Sequence, residues 1–147
     1  MGRSRGGFTT KLHLRTERGG KPLTFVLTPG QRQEATQVPA LLEQGAVKRP
    51  GRGRPRVRPD RAAGDKGYTG RPIRSYLCRR GIGAVIPRRT NEARRGTRFD
   101  RTAYRERNIV ERTINRLKQF RAIATRYEKL KETYHALLTI ACILLWL

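Results

Sequence analysis

Two short alternating runs flank a glycine-bearing pentad, and together they constrain the fold more than anything else in the chain. Residues 11–16 read "KLHLRT" and residues 23–28 read "LTFVLT". Side chains of a strand alternate between faces, so Leu12 and Leu14 share one face of a first strand. Leu23, Phe25 and Leu27 share one face of a second. The intervening "ERGGK" supplies Gly19 and Gly20 for a tight connection, which predicts an antiparallel hairpin.

The next elements follow from local punctuation. "TPGQ" breaks the second strand at Pro29–Gly30. "EATQVPALLEQ" is expected to be helical despite Pro39, with Val38, Leu41 and Leu42 as its apolar side. "RAAGDKGYTG" reads as a short strand of small residues ending at Asp65, followed by glycine-rich turn chemistry. In "RPIRSYLCRRG", Ile73, Tyr76 and Leu77 recur at helical spacing, with Pro72 in the first turn and Gly81 at the end. "GAVIP" is a short buried-type strand. The segment 103–120, "AYRERNIVERTINRLKQF", reads as one amphipathic helix. The closing "ALLTIACILLWL" is 12 residues without a charge. A bilayer span needs about 20, so no membrane partner is expected and the run reads as a core helix, apolar all round. Strands interspersed with helices predict an α/β layered domain, and 147 residues suit a single domain, 1–147.

Charge then bounds the partner. The chain has 34 Lys and Arg against 11 Asp and Glu, a formal charge of +23 and a pI near 11.6. Self-repulsion at that charge opposes a compact fold unless a polyanion neutralises it, which makes nucleic acid the expected partner. A membrane surface is the rival polyanion, but the basic residues are scattered and form no single Lys/Arg-rich amphipathic helix. Two basic loops are expected, at about 45–61 and 88–101. In "KRPGRGRPRVRPDR", seven of 14 residues are Lys or Arg and five are Pro or Gly. Such a run cannot bury apolar area. It is either a mobile solvated linker or a loop whose Arg52, Arg54 and Arg56 close on phosphates. Cys78 and Cys142 are the two cysteines, in no C-x-x-C spacing, and His13 and His135 are the two histidines. That argues against zinc and for a reducing cytosol.

Chemistry has few places to sit. The three aspartates are Asp60, Asp65 and Asp100. Asp65 lies where a strand is expected to end, where functional groups of α/β sheets collect. A plain Asp-Lys-Gly turn is the structural alternative. On the helix projected from Tyr104, Arg107, Glu111 and Lys118 share a stripe roughly 60° wide. That stripe borders an apolar arc of Val110, Ile114, Leu117 and Phe120. A surface row in which Arg107 pairs with Glu111 one turn on is the ordinary reading, worth a few tenths of a kcal/mol.

The spacing Tyr-(2)-Arg-(3)-Glu-(6)-Lys at Tyr104, Arg107, Glu111 and Lys118 resembles the signature of DDE transposases of bacterial insertion sequences, in the branch around insertion sequence five. "GRSRGGFTTKLHL", "PLTFVLTPGQ", "DKGY", "GAVIPRR", "FRAIATRYEK" and "ILLWL" are similar to that family in its usual order, across essentially the whole chain. The resemblance implies an RNase H-like fold, a mixed sheet flanked by helices. It implies that Asp65 is the second acid of a catalytic triad and Glu111 the third. Both would be ligands of Mg²⁺ or Mn²⁺ in a two-metal site, about 4 Å between ions, that stabilises the attacking and leaving oxygens of a phosphodiester. Arg107 and Lys118 would lie against DNA phosphates. Tyr104 would stack on a base or cap the core.

One departure stands out. The family carries its first aspartate on an opening strand upstream of "GRSRGG", and here no aspartate precedes Asp60. Glu17, at the expected hairpin tip, is a poor substitute. The expectation is a C-terminal catalytic portion whose first strand is missing, joined by frameshifting to an upstream-frame transposase segment or left as a decayed remnant. An isolated chain would then bind DNA without cutting it. The remaining expectations are a bacterial cytoplasmic, nucleoid-associated protein and a homo-oligomer. The alternative functions are a non-enzymatic basic nucleic-acid binder or a nuclease of the same fold.

Overall fold

The computed structural model describes residues 2–4, 7–92, 99–126 and 128–147. The chain forms two compact units, one made of Met1–Arg32 with Asn108–Leu147 and the other of Gln33–Arg107. Each has its own apolar core.

The first unit is built on the expected hairpin. Strands β2 (Gly7–Thr16) and β3 (Pro22–Pro29) pair antiparallel, with Leu12 opposite Leu27 and Leu14 opposite Phe25. The sequence reading started this strand four residues late. It also missed β1 (Gly2–Ser4), which pairs antiparallel with the beginning of β2. The turn between β2 and β3 closes on itself. The Glu17 backbone N–H donates to Lys21 O at 3.0 Å, and the Glu17 carboxylate accepts the Lys21 N–H at 2.9 Å. Glu17 is thus spent on its own turn.

Four helices follow in sequence terms where two were expected: α3 (Arg101–Arg105) in the second unit, then α4 (Asn108–Lys118), α5 (Arg121–Thr125) and α6 (Lys131–Leu144) in the first. Leu27, Leu117, Ile123, Tyr134, Leu138 and Ala141 form the buried cluster, with Leu12, Leu14 and Phe25 packed on it from the hairpin. The reading of the C-terminal run as a helix buried all round is corrected. Tyr134, Leu138 and Ala141 are buried, whereas Ile140, Ile143 and Leu144 are about half exposed. The hairpin offers one apolar face, and a single stripe of α6 suffices to cover it. Beyond the helix, Trp146 Nε1 donates to Pro22 O at 2.7 Å, and Lys21 Nζ lies 5.0 Å from the Trp146 ring. These contacts tie the C-terminal end to the hairpin turn. His13 points to the opposite face of β2 and is fully buried, its Nε2 2.8 Å from Thr28 Oγ1.

In the second unit a 3₁₀ turn, Glu34–Gln37, leads into α1 (Val38–Glu43), with Pro39 accommodated in the first turn. Two further strands, β4 (Arg61–Ala63) and β5 (Gly83–Val85), pair in parallel across α2 (Arg71–Arg79). Val38, Leu42, Ile73, Leu77, Ile82 and Ile86 make the core. Gly81, with φ of +62°, ends α2 as expected. Arg74 carries the tie across this unit: it donates to Ile86 O at 2.8 Å and Thr69 Oγ1 at 2.9 Å and pairs with Glu92 at 3.4 Å.

The α/β character expected from sequence holds, but the strands fall into a three-stranded antiparallel sheet and a two-stranded parallel one, not one mixed sheet. Strands β4 and β5 are three residues each of mostly small side chains, enough to pair with each other and little more.

Candidate nucleic-acid and metal site

Asp65 lies two residues beyond β4. The ladder continues through a Gly64 N–H to Val85 O bond of 3.3 Å, and Asp65 then caps a 3₁₀ turn, Lys66–Tyr68. Its side chain accepts no capping bond from that turn. Instead Asp65 Oδ1 meets the Arg107 guanidinium at 3.1 Å, with 57% of the Asp65 side chain exposed and 22% of Arg107. Arg107 in turn lies over the Tyr104 ring, 5.3 Å from its centroid. Tyr104 packs at 5.3 Å and a 57° tilt against Phe99, which is itself exposed. The run Phe99–Tyr104–Arg107–Asp65 is therefore one continuous contact within the second unit.

Around it, Asp100 caps α3 by accepting the Ala103 N–H at 2.9 Å and pairs with Arg61 at 2.9 Å. The capping bond from Ala103, reinforced by Arg61, holds the Asp100 carboxyl below its ordinary range. Tyr68 closes the 3₁₀ turn that Asp65 begins, its N–H donating to Asp65 O at 2.9 Å. Burial, with the Glu34 and Asp65 charges adding to it, pushes its phenol up to about 12, so it stays protonated. Phe99, Tyr68 and the Arg61–Asp100 pair were missed in the sequence. Only Tyr68 carried a signal, as the last residue of "DKGY".

The single helix expected over 103–120 is broken. Helix α3 ends at Arg105, and the Arg107 N–H bonds back to Tyr104 O at 3.1 Å, a three-residue turn that interrupts the helical progression before α4 begins at Asn108. The continuous stripe of Tyr104, Arg107, Glu111 and Lys118 is accordingly not a stripe of one helix. Tyr104 and Arg107 belong to the second unit, and Glu111 and Lys118 are exposed on α4 in the first. The buried face of α4 is also shifted from expectation. Thr113 and Leu117 are buried, while Val110, Ile114 and Phe120 are half-buried.

The first basic loop is more ordered than a free linker. Val47 and Arg56 exchange backbone bonds of 2.9 and 2.8 Å, pinching its base. The loop encloses an open concavity of about 570 Å³ lined by Val47, Lys48, Arg49, Pro50, Gly51, Arg52 and Arg56. Arg52 and Arg54 are exposed; Arg56 is engaged by the Asp60 carboxylate and by Arg58 O. Of the second basic loop, 88–101, the middle residues 93–98 lie outside the described residues, as does Tyr127 of "FRAIATRYEK".

Among the described residues no three His, Cys, Asp or Glu side chains form a metal-binding group, and no helix is long and apolar enough to cross a membrane. Exposed carboxylates at positions 65 and 111 are nonetheless the donor type that hard divalent cations take.

Comparison with known proteins decides what this arrangement belongs to. The transposase DDE domain family matches residues 2–146. The chain belongs to that family. A protein named as a transposase for insertion sequence element IS402, from Burkholderia cepacia, is 33% identical to the domain over 136 residues, 92% of this chain and 62% of the relative. One named for insertion sequence element IS6501, from Brucella ovis, is 29% identical over 140 residues, 95% of this chain and 98% of the relative. The transposase domain thus spans under two thirds of one relative and nearly all of the other. No solved structure matches it.

Proposed function

We propose that this DDE transposase domain takes part in DNA transposition by divalent-metal-dependent cleavage and strand transfer, with an RNase H-like arrangement of its α/β elements. Asp65 and Glu111 act as two of the carboxylate ligands of Mg²⁺ or Mn²⁺. When bound, the metal supplies charge neutralisation at the phosphorus and activation of the attacking oxygen. The chain's own residues do the rest. Arg107, held by the Tyr104 ring, and Lys118 neutralise phosphate oxygens of the DNA. The exposed Arg52 and Arg54 of the basic loop add backbone contacts that carry no sequence information.

The observation that carries this reading is the gathering of Asp65, Arg107 and Tyr104, 42 and 39 positions apart in sequence from Asp65, around one exposed carboxylate in a family match of 145 residues. The test is cleavage of the polypeptide by Fe²⁺ in place of Mg²⁺, with ascorbate and peroxide. Scission next to both positions 65 and 111 is expected, with both cuts lost in either Asp65→Asn or Glu111→Gln. Scission at one position that survives substitution of the other would remove the shared metal. The domain would then be left as a basic nucleic-acid binder, the alternative that its +23 charge also supports.

A further inference from the structure

The eight residues between Val47 and Arg56, "KRPGRGRP", are pinned at their base by the two backbone bonds of that bridge and are exposed throughout. They hold four cations and no carboxylate. Arginines elsewhere in the unit are occupied by its acids: Arg56 by Asp60, Arg61 by Asp100 and Arg74 by Glu92. Among the described residues no acid pairs with Arg52 or Arg54. Two glycines interleave with these arginines. Gly53 has φ of +132°, a conformation that itself calls for glycine. Gly51 has no such angle, and a Cβ there would meet nothing within 4 Å. Nothing inside the fold requires position 51 to be bare. Close approach of an outside partner to the backbone would.

We infer that this loop enters the minor groove of duplex DNA, with Arg52 and Arg54 reaching its floor, and that it favours runs of A·T pairs. This rests on the reading of the loop as a DNA contact and adds the groove. The minor groove is about 6 Å wide and admits a backbone stripped of side chains, whereas the major groove, about 12 Å wide, is filled by a helix or a two-stranded ribbon. A loop held by one bridging pair is neither. A guanidinium only donates hydrogen bonds, and the floor over A·T pairs offers only the acceptors adenine N3 and thymine O2. Over a G·C pair the guanine amino group is a second donor and stands in its way. Runs of A·T pairs also narrow the groove and deepen its negative potential, which draws arginine in. Pro50 and Pro55 limit the freedom that the loop loses on entry. On DNA of mixed sequence the phosphate contacts remain and the bases go unread.

The experiment measures the affinity of the whole chain, by fluorescence anisotropy over a range of salt, for short duplexes that differ only in a central block of A·T, G·C or inosine·C pairs. Inosine·C keeps the major-groove face of G·C but lacks the amino group in the minor groove. The proteins are the unsubstituted chain, Gly51→Leu, the Arg52→Lys/Arg54→Lys pair and the Arg52→Ala/Arg54→Ala pair. Position 51 has open space around it and both arginines are exposed, so the fold tolerates each change. The unsubstituted chain is expected to bind the A·T and inosine·C blocks about ten-fold more tightly than G·C, the size of one good base contact. Gly51→Leu, by blocking entry, and the lysine pair, by losing the planar fork at unchanged charge, should each erase that preference. Equal affinity for the three blocks would overturn the inference, as would inosine·C behaving like G·C, the mark of major-groove reading. A preference that survives both Gly51→Leu and the lysine pair would overturn it too, by placing the reader elsewhere in the chain. The phosphate reading is judged separately: it stands if the alanine pair flattens the slope of log affinity against log salt, whatever the blocks show, and fails if the slope is unchanged.

Discussion

Thr113 Oγ1 lies 2.7 Å from Gly20 O, joining the middle of α4 to the tip of the β2–β3 hairpin across 93 residues of sequence. The same hydroxyl is 2.9 Å from Ile109 O, and Thr113 is almost fully buried. Gly20 has φ of +89°, and a Cβ there would come within 2.8 Å of Ile109 Cγ1. A tight turn and a helix are thus fitted to each other through the one residue type that permits both the backbone angle and the approach. Helix α4 carries Glu111 and Lys118, two residues of the proposed site, on its exposed side.

Removing either partner should loosen this joint. Thr113→Val keeps the shape but leaves the Gly20 carbonyl without its donor, at a cost of about 1–3 kcal/mol. Gly20→Ala meets both the positive φ and Ile109, and should cost more than about 1 kcal/mol. Urea unfolding followed by circular dichroism measures both. Wild-type midpoints in the two variants would contradict the joint.

The two faces of α6 should respond differently to truncation. Leu138 is fully buried in the core of its unit, and Leu138→Ala should destabilise by about 2–5 kcal/mol. Ile140 is 55% exposed, and Ile140→Ser should lie within about 0.5 kcal/mol of the parent. Thermal unfolding of the two variants side by side checks the assignment. Equal losses would mean the helix is covered on both sides.

Acid should weaken the start of α3. The Ala103 N–H, and after it the Arg61 guanidinium, depress the Asp100 carboxyl below 3.8, its value in an unfolded chain. The stabilisation it gives is therefore complete above that pH and fades as the pH falls through the lower folded-state value. The stability difference between the parent and Asp100→Ala should be constant near neutrality and shrink below pH 3.8. Denaturation at a series of pH values, with an NMR titration of the Ala103 amide, reads this directly.

Phosphate contacts by the basic loop should appear in the salt dependence. Arg52 and Arg54 are exposed on the loop pinched at Val47 and Arg56. If each neutralises one phosphate, replacing both by Ala should lower the log–log salt slope of DNA binding by about 1.8. Affinity should fall alike for unrelated sequences. An unchanged slope would mean that the loop faces solvent in the complex.

The two thiols should separate by reactivity. Burial pushes Cys142 up to about 11, whereas Cys78 is exposed. At pH 8 a maleimide should modify Cys78 first, with Cys142 following only as the pH approaches 11 or the unit unfolds. Mass spectrometry of the timed reaction distinguishes the sites.

Sequence alone determined the local elements and the family. The alternation of Leu12, Leu14, Phe25 and Leu27 was sufficient for the hairpin, because a period of two fixes which side chains share a face. Pro72 and Gly81 marked the limits of α2, since each has one backbone conformation it serves best. The spaced Tyr104, Arg107, Glu111 and Lys118 pointed to the DDE transposase family, which the match over residues 2–146 bears out. Tertiary structure alone decided the rest. The break before Asn108 was invisible because helical periodicity continues through it, whereas the backbone turns at Arg107, whose N–H bonds back to Tyr104 O. The exposed side of α6 was invisible because an apolar residue carries no mark of whether a partner surface is there to cover it. The pairing of Arg107 with Asp65 was hidden for the same reason: which of many cations meets a given carboxylate depends on how distant segments pack, not on the residues beside it.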